Sequence, residues 1–159
     1  PGWVTARLSV FYTGITHHSG MVNWQVIRRR MEGDRVTAAG LDAIVAAARR
    51  CRAALLAADE AGAGEAIAAE WAARRTLAPE VSPPEVERLV EAATGAGALA
   101  VKACGAGGGG SLLVWHPPAA REAVAGALAA AAPGGRTLPV SPVSGGCQVV
   151  TGEDPSSAP

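Results

Sequence analysis

Leu8, Val10 and Tyr12 alternate with Ser9 and Phe11 inside the stretch Trp3 to Thr13 (WVTARLSVFYT). This period of two, rich in β-branched and aromatic residues, predicts a first strand. Past Gly14 the period lengthens. Ser19 is placed to cap a helix whose inward stripe is Trp24, Ile27 and Met31, and the αL-tolerant pair Gly33 and Asp34 ends it. From about Thr37 to Glu60, Leu41, Ile44, Val45, Ala48, Cys51, Leu55 and Leu56 recur at spacings of three and four, which predicts a long amphipathic helix. Gly62 and Gly64 punctuate the chain before Glu65 to Leu77 returns to helical spacing through Ile67 and Trp71. Glu70 and Arg74 stand one turn apart there, placed for an ion pair. Ser82, Pro83, Pro84 and Glu85 read as a capping box that opens a helix through Val86, Leu89, Val90 and Ala93, stopped by Gly95.

Two apolar segments follow, Ala98 to Cys104 and Ser111 to Trp115, both too short for helices, and they flank the glycine-rich stretch Gly105 to Gly110. Two strands joined by a glycine loop are expected. Pro117 and Pro118 start a last helix carrying Val124, Ala127, Leu128 and Ala131. Pro133, Gly134 and Gly135 end it before a final strand over Thr137 to Val143. The order strand, helices, strand, loop, strand, helix, strand implies an α+β fold, an antiparallel sheet covered by helices in the ferredoxin-like split βαβ manner. The 159 residues suit one domain, taken as 1–150, followed by a tail over 151–159 rich in Pro, Ser and Ala and expected to be disordered. A strand so near residue 1 fits a chain cut at its beginning.

Composition sharpens this picture at three points. Hydrophobic residues are 49% of the chain but aromatics only 4%, so much of the apolar mass is alanine and favours close helix packing. Fourteen basic residues balance fourteen acidic ones, leaving no net field to draw in nucleic acid or an anionic membrane. Cys51, Cys104 and Cys147 are an odd number without CxxC spacing, which indicates neither a disulfide framework nor a zinc site. With no signal-like opening and no run of about twenty apolar residues, a reduced, cytoplasmic location is expected.

The least ordinary segment is Lys102 to Ser111, in which five of the six positions from Gly105 to Gly110 are glycine, an entropic cost beyond what a hairpin turn requires. Successive residues free to take φ > 0 can turn their N–H groups onto one point, a nest suited to phosphate. The stretch is not a Walker A loop, since Ser111 follows Gly110 directly with no lysine, and no nucleotide-binding βαβ unit surrounds it. A flexible connection is the competing reading. Elsewhere, His17 and His18 are adjacent and point apart, Arg28, Arg29 and Arg30 spread around one helix turn, and Lys102 is either a phosphate partner or a snorkelling edge residue. Trp24, Trp71 and Trp115 fall on expected packing faces.

The segment 97–113 (GALAVKACGAGGGGSLL) resembles the third signature motif of the GHMP kinases, the family of galactokinase and of homoserine, mevalonate and phosphomevalonate kinases. As in that family, a helix precedes it and a strand and helix follow, and the match covers most of residues 5–140. Looser matches resemble the heptose-7-phosphate kinase branch: Phe11 to Gly14 (FYTG), Asn23 and Trp24 with Arg29 and Arg30, Gly33 with Asp34, and Trp71 with Arg74 and Arg75 ahead of Leu77 and Pro79.

The resemblance implies transfer of the ATP γ-phosphoryl to a hydroxyl or the anomeric oxygen of a sugar or sugar phosphate, with Mg²⁺ between the nucleotide phosphates. It sets Gly105, Ala106, Gly107, Gly108, Gly109 and Gly110 against the nucleotide phosphates, and Thr13, Gly14, His17 and Lys102 on the substrate side. It also implies an N-terminal lobe bearing the ATP loop, the acidic catalytic residue and the magnesium ligands. No segment here matches those parts, so the chain alone is expected to be inactive and to contribute no catalytic or metal-ligating residue of its own. Homodimerisation stays open. The alternative, from another class, is a stand-alone metabolite-binding or regulatory module without catalysis.

Overall fold

The computed structural model describes residues 2–16, 19–143 and 145; His17, His18, Cys147 and the tail 151–159 lie outside them. The elements are α1 (Gly2–Thr5), β1 (Leu8–Tyr12), α2 (Ser19–Met31), α3 (Arg35–Leu56), α4 (Glu60–Arg75), α5 (Pro84–Gly95), β2 (Ala100–Ala103), β3 (Ser111–Trp115), α6 (Arg121–Ala131) and β4 (Arg136–Leu138), with short 3₁₀ turns at Pro79–Val81 and Pro118–Ala120. The sheet order is β2-β3-β1-β4 and every pairing is antiparallel, the expected ferredoxin-like α+β arrangement. Among the described residues no helix is long and apolar enough to cross a membrane.

Strand alternation decides what each face carries. Phe11, Val101, Ala103, Leu112 and Val114 point one way and join Val86, Leu89 and Ala93 of α5 with Val124 and Leu128 of α6 in the main core. Ala100 and Trp115 point the other way and gather Ala54 of α3 with Ala63 and Ile67 of α4 in a smaller cluster. Trp115 closes that cluster: its indole N–H donates to the Glu60 carbonyl at 2.9 Å and its ring lies 5.5 Å from that of Trp3.

Several sequence expectations give way here. The first strand does not start at Trp3. Residues Gly2–Thr5 make a helical turn that brings Trp3 onto Trp115 and under the Arg7 guanidinium, which itself pairs with Glu60 at 2.5 Å. The stripe Trp24, Ile27 and Met31 of α2 faces outward, at 63%, 50% and 80% exposure, because nothing described here packs on that side of the helix. In α3 the buried positions are Thr37, Gly40, Ala47 and Ala54, not the Leu and Val stripe; Val45 and Leu56 are exposed. Small residues win because α3 lies close on its neighbour: a Cβ on Gly40 would come within 2.9 Å of the Leu77 side chain.

α3 stops at Leu56, short of Glu60, where Ala58 turns to φ +53 and the Asp59 carboxylate accepts from the Gly62 N–H. Gly62 and Gly64 sit inside α4 rather than before it, and Gly64 lets Leu99 approach, since a Cβ there would be 2.9 Å from the Leu99 Cβ. The Ser82 capping box is not formed. Pro83 is the N-cap without a side-chain bond, and the Ser82 hydroxyl donates to Glu87 instead. The last strand shortens to Arg136–Leu138.

At the end of β3 the chain buries a histidine. His116 is fully enclosed, with Nδ1 3.0 Å from the Pro117 carbonyl and Nε2 2.8 Å from Ser9 Oγ. A carbonyl only accepts, so Nδ1 carries the hydrogen and Nε2 accepts from the Ser9 hydroxyl. Burial, the largest influence, holds the ring below the ordinary histidine value. The unfolded chain therefore takes up a proton that the folded chain refuses, and stability rises with pH through this window. The expected result is a urea midpoint constant above about pH 7 that falls as pH drops below about 6.5, with His116→Gln removing the slope in that window. A slope unchanged in that variant would assign the titration elsewhere.

Candidate functional site

The glycine loop between β2 and β3 is held, not slack. Cys104 N–H donates to the Ser111 carbonyl at 2.8 Å and closes its mouth. Gly105, Gly107, Gly108, Gly109 and Gly110 all take positive φ, between +66° and +150°, which L side chains resist by about 1–2 kcal/mol per residue. Two loop amides are spent on the protein itself: Gly108 N–H donates to the Val81 carbonyl at 2.8 Å and Gly110 N–H to the Ile15 carbonyl at 3.0 Å. A Cβ on Gly107 would stand 2.5 Å from the Val81 oxygen, and one on Gly109 2.9 Å from the Ile15 oxygen. At these two positions the bare backbone admits other backbone. At Gly105 a Cβ would meet nothing within 4 Å, so no such contact explains that glycine. Among the described residues the N–H groups of Ala106, Gly107 and Gly109 have no hydrogen-bond partner.

Thr13 is brought against this loop. Its N–H and hydroxyl both donate to the Gly110 carbonyl, at 2.8 and 2.9 Å, and its hydroxyl accepts from the Ile15 N–H at 3.1 Å. It is buried with its hydroxyl committed to holding the loop. Gly14, at φ +77, passes the Gly134 carbonyl, which a Cβ would meet at 3.1 Å. His17 lies outside the described residues.

Lys102 points to the opposite face of β2 from Val101 and Ala103 and reaches α4 instead of the loop. Its Nζ lies 2.6 Å from Glu70 Oε2, an ion pair without the angular alignment of a hydrogen bond. The other oxygen of Glu70 accepts from Arg74 Nε at 2.7 Å and also from Arg74 Nη2. Burial alone raises the Glu70 carboxyl, but the Arg74 hydrogen bonds and the charges of Arg74 and Lys102 together hold it below the ordinary glutamate range. Arg74 Nη1 extends to the Gly105 carbonyl, a long contact of 3.4 Å. The i,i+4 pair was visible in the sequence; its third partner and its reach to the loop were not. The cluster itself lines a groove of about 730 Å³ framed by α3, α4 and the reverse face of the sheet, with Ile44, Cys51, Leu55, Leu113 and Trp115 also among its walls.

For an anion this end of the domain fits: unpaired amides, a backbone without side chains and one guanidinium stand together. Among the described residues no group of three His, Cys, Asp or Glu side chains stands close enough to hold a metal ion, and the Glu70 carboxylate is already paired with two cations.

The family description "GHMP kinases C terminal" matches residues 51–134, more than half of the chain and all of the glycine loop. The chain belongs to the GHMP kinase C-terminal family. Solved structures agree with this on the fold of the GHMP kinase domain. The mevalonate kinase of L. major, solved in complex with R-mevalonate, is 26% identical at a TM-score of 0.71, over 80% of this chain and 39% of that one. The Lin0012 protein of Listeria innocua is 19% identical at 0.74, over 83% and 38% of the two chains. A putative sugar kinase of Campylobacter jejuni is 23% identical at 0.53, over 87% and 38%. The last two likenesses carry the fold alone. The GHMP kinase domain thus spans about two fifths of the length of the solved structures that it matches. No curated protein matches the chain.

Proposed function

We propose that this domain, residues 1–150 of the chain, is the C-terminal, substrate-side half of a cytoplasmic ATP-dependent sugar kinase of the heptose-phosphate type, working with an N-terminal GHMP lobe. The observation that carries the reading is the glycine loop. Its backbone is pinned on both flanks while the amides of Ala106, Gly107 and Gly109 stay unpaired, which is the state of an anion nest before its guest arrives. In a phosphoryl transfer the protein mainly positions the reactants and stabilises charge, and a rigid set of donors does this without reorganising.

ATP, when bound, supplies the γ-phosphoryl group. Gly105 to Gly110 would hold its oxygens, and Thr13, through the Gly110 carbonyl, fixes where the loop ends. Gly14 and His17 are assigned to the acceptor side, and Lys102 reaches the site only by way of Glu70. The acid or base and the Mg²⁺ ligands belong to the other lobe. The exposed Trp24, Ile27 and Met31 of α2, with Val36, favour a half that is covered in the working enzyme over a self-sufficient sensor module.

The test joins the chain to a GHMP N-terminal lobe and follows ADP release with heptose 7-phosphate, other sugar phosphates and mevalonate. The joined protein is expected to phosphorylate a sugar phosphate, the chain alone to turn over nothing, and Gly108→Val to abolish activity. A folded assembly that phosphorylates no sugar under any condition ends the sugar-kinase reading.

A further inference from the structure

The charge cluster behind the loop has a shape that pairing alone does not require. Glu70 sits in the middle of α4, its side chain 9% exposed, between Lys102 from β2 and Arg74 from its own helix. Two cations on one carboxylate leave the cluster with a net positive charge. Both cations meet Glu70, but only Arg74 reaches the loop. A guanidinium is a rigid planar fork, so fixing Nε and Nη2 on one carboxylate oxygen fixes where Nη1 lies. Nη1 lies at the carbonyl of Gly105, where a side chain would meet no neighbouring atom, and the amides of Ala106 and Gly107, next along the chain, are unpaired. Its contact with the Gly105 carbonyl is long, at 3.4 Å, and so is readily exchanged for a stronger acceptor.

We propose that Arg74 is the cationic wall of the anion site at the glycine loop, and that Glu70 is its positioning residue, aiming the guanidinium from α4 while Lys102 steadies Glu70 without touching the anion. This rests on the reading that the loop receives a phosphoryl group.

Simple electrostatics and positioning predict opposite signs for one substitution. Removing a negative charge strengthens anion binding if charge alone matters. If Glu70 aims Arg74, Glu70→Gln weakens binding even though it makes the cluster more positive. The experiment titrates the 159-residue chain with inorganic pyrophosphate at fixed ionic strength, and follows the amide resonances of Gly105, Ala106, Gly107 and Gly109. Losing a charge-assisted bond is expected to raise Kd about tenfold in Arg74→Ala, and Glu70→Gln should shift it the same way.

Arg74→Lys, which keeps the charge but cannot span Glu70 and Gly105 as a fork, is expected to weaken binding about as much, and it decides the matter if Glu70→Gln does not fold. Lys102→Met should stay within about twofold of the parent, the small effect of a charge that makes no contact. Equal or tighter binding by Glu70→Gln or Arg74→Lys overturns the proposal, as does a Lys102→Met loss equal to that of Arg74→Ala. Pyrophosphate that moves no loop amide in the parent chain overturns both this inference and the phosphate reading beneath it. Binding in the parent with the wrong sign in Glu70→Gln overturns the inference alone.

Discussion

Gly107→Ala is expected to cost the domain about 3 kcal/mol of unfolding free energy, and Gly105→Ala only about 1. Both positions hold a positive φ, +86° and +66°, so both substitutions carry the penalty of a left-handed alanine. Only at Gly107 does the new methyl also collide, 2.5 Å from the Val81 carbonyl oxygen and 2.9 Å from the Val81 side chain. Backbone on the far side cannot step away without breaking the Gly108 to Val81 hydrogen bond, so the overpacking term adds to the strain. Urea unfolding monitored by tryptophan fluorescence reads the difference in midpoint, provided the slope of the transition is unchanged. If the two alanines cost the same, the loop is not clamped as described.

Trp115→Ala is expected to cost about 3–5 kcal/mol, the range for emptying a large buried aromatic site, and to lower Tm by about 10 °C in a chain of this size. Trp115 is 1% exposed and joins three elements: the sheet, α4 through the Glu60 carbonyl, and α1 through Trp3. Trp115→Phe keeps most of the packing, loses the indole hydrogen bond and is expected to cost about 1 kcal/mol plus a share of lost area. Trp24→Ala, at a residue 63% exposed, is expected to change stability by less than about 0.5 kcal/mol. Thermal melts of the three variants check the ranking. A Trp24 loss as large as that of Trp115 would mean that α2 packs where it does not here.

That contrast shows where periodicity informs and where it stops. The spacing of Trp24, Ile27 and Met31 correctly marks one apolar side of a helix, but a pattern along the chain says nothing about which surface covers it. In α3 the misreading has another cause: the residues it buries are Thr37, Gly40, Ala47 and Ala54, whose small side chains carry almost no hydrophobic signal yet permit close approach of a neighbouring element. The strands were legible because β2 and β3 are short apolar runs beside a glycine stretch, and the topology followed from their order. The loop itself stood out by composition. The partners that shape it did not, since Val81 and Ile15 are distant in sequence and contribute only carbonyl oxygens, which any residue type supplies. Lys102 and Glu70 are likewise far apart along the chain, and His116 gave no sign of its burial, because its partner Ser9 lies near the other end of the sequence.

The antiparallel pairing of β1 with β3 carries a kinetic consequence. β2 and β3 are a local hairpin and meet early, whereas β1 must close a loop of about a hundred residues before Phe11 faces Leu112. The carbonyl of Ile15 and the hydroxyl of Thr13 arrive only with that strand, so the glycine loop takes its final shape only once β1 has docked. The shaped loop is therefore a late product of assembly, and a chain still waiting for its first strand presents no formed nest to bind anything.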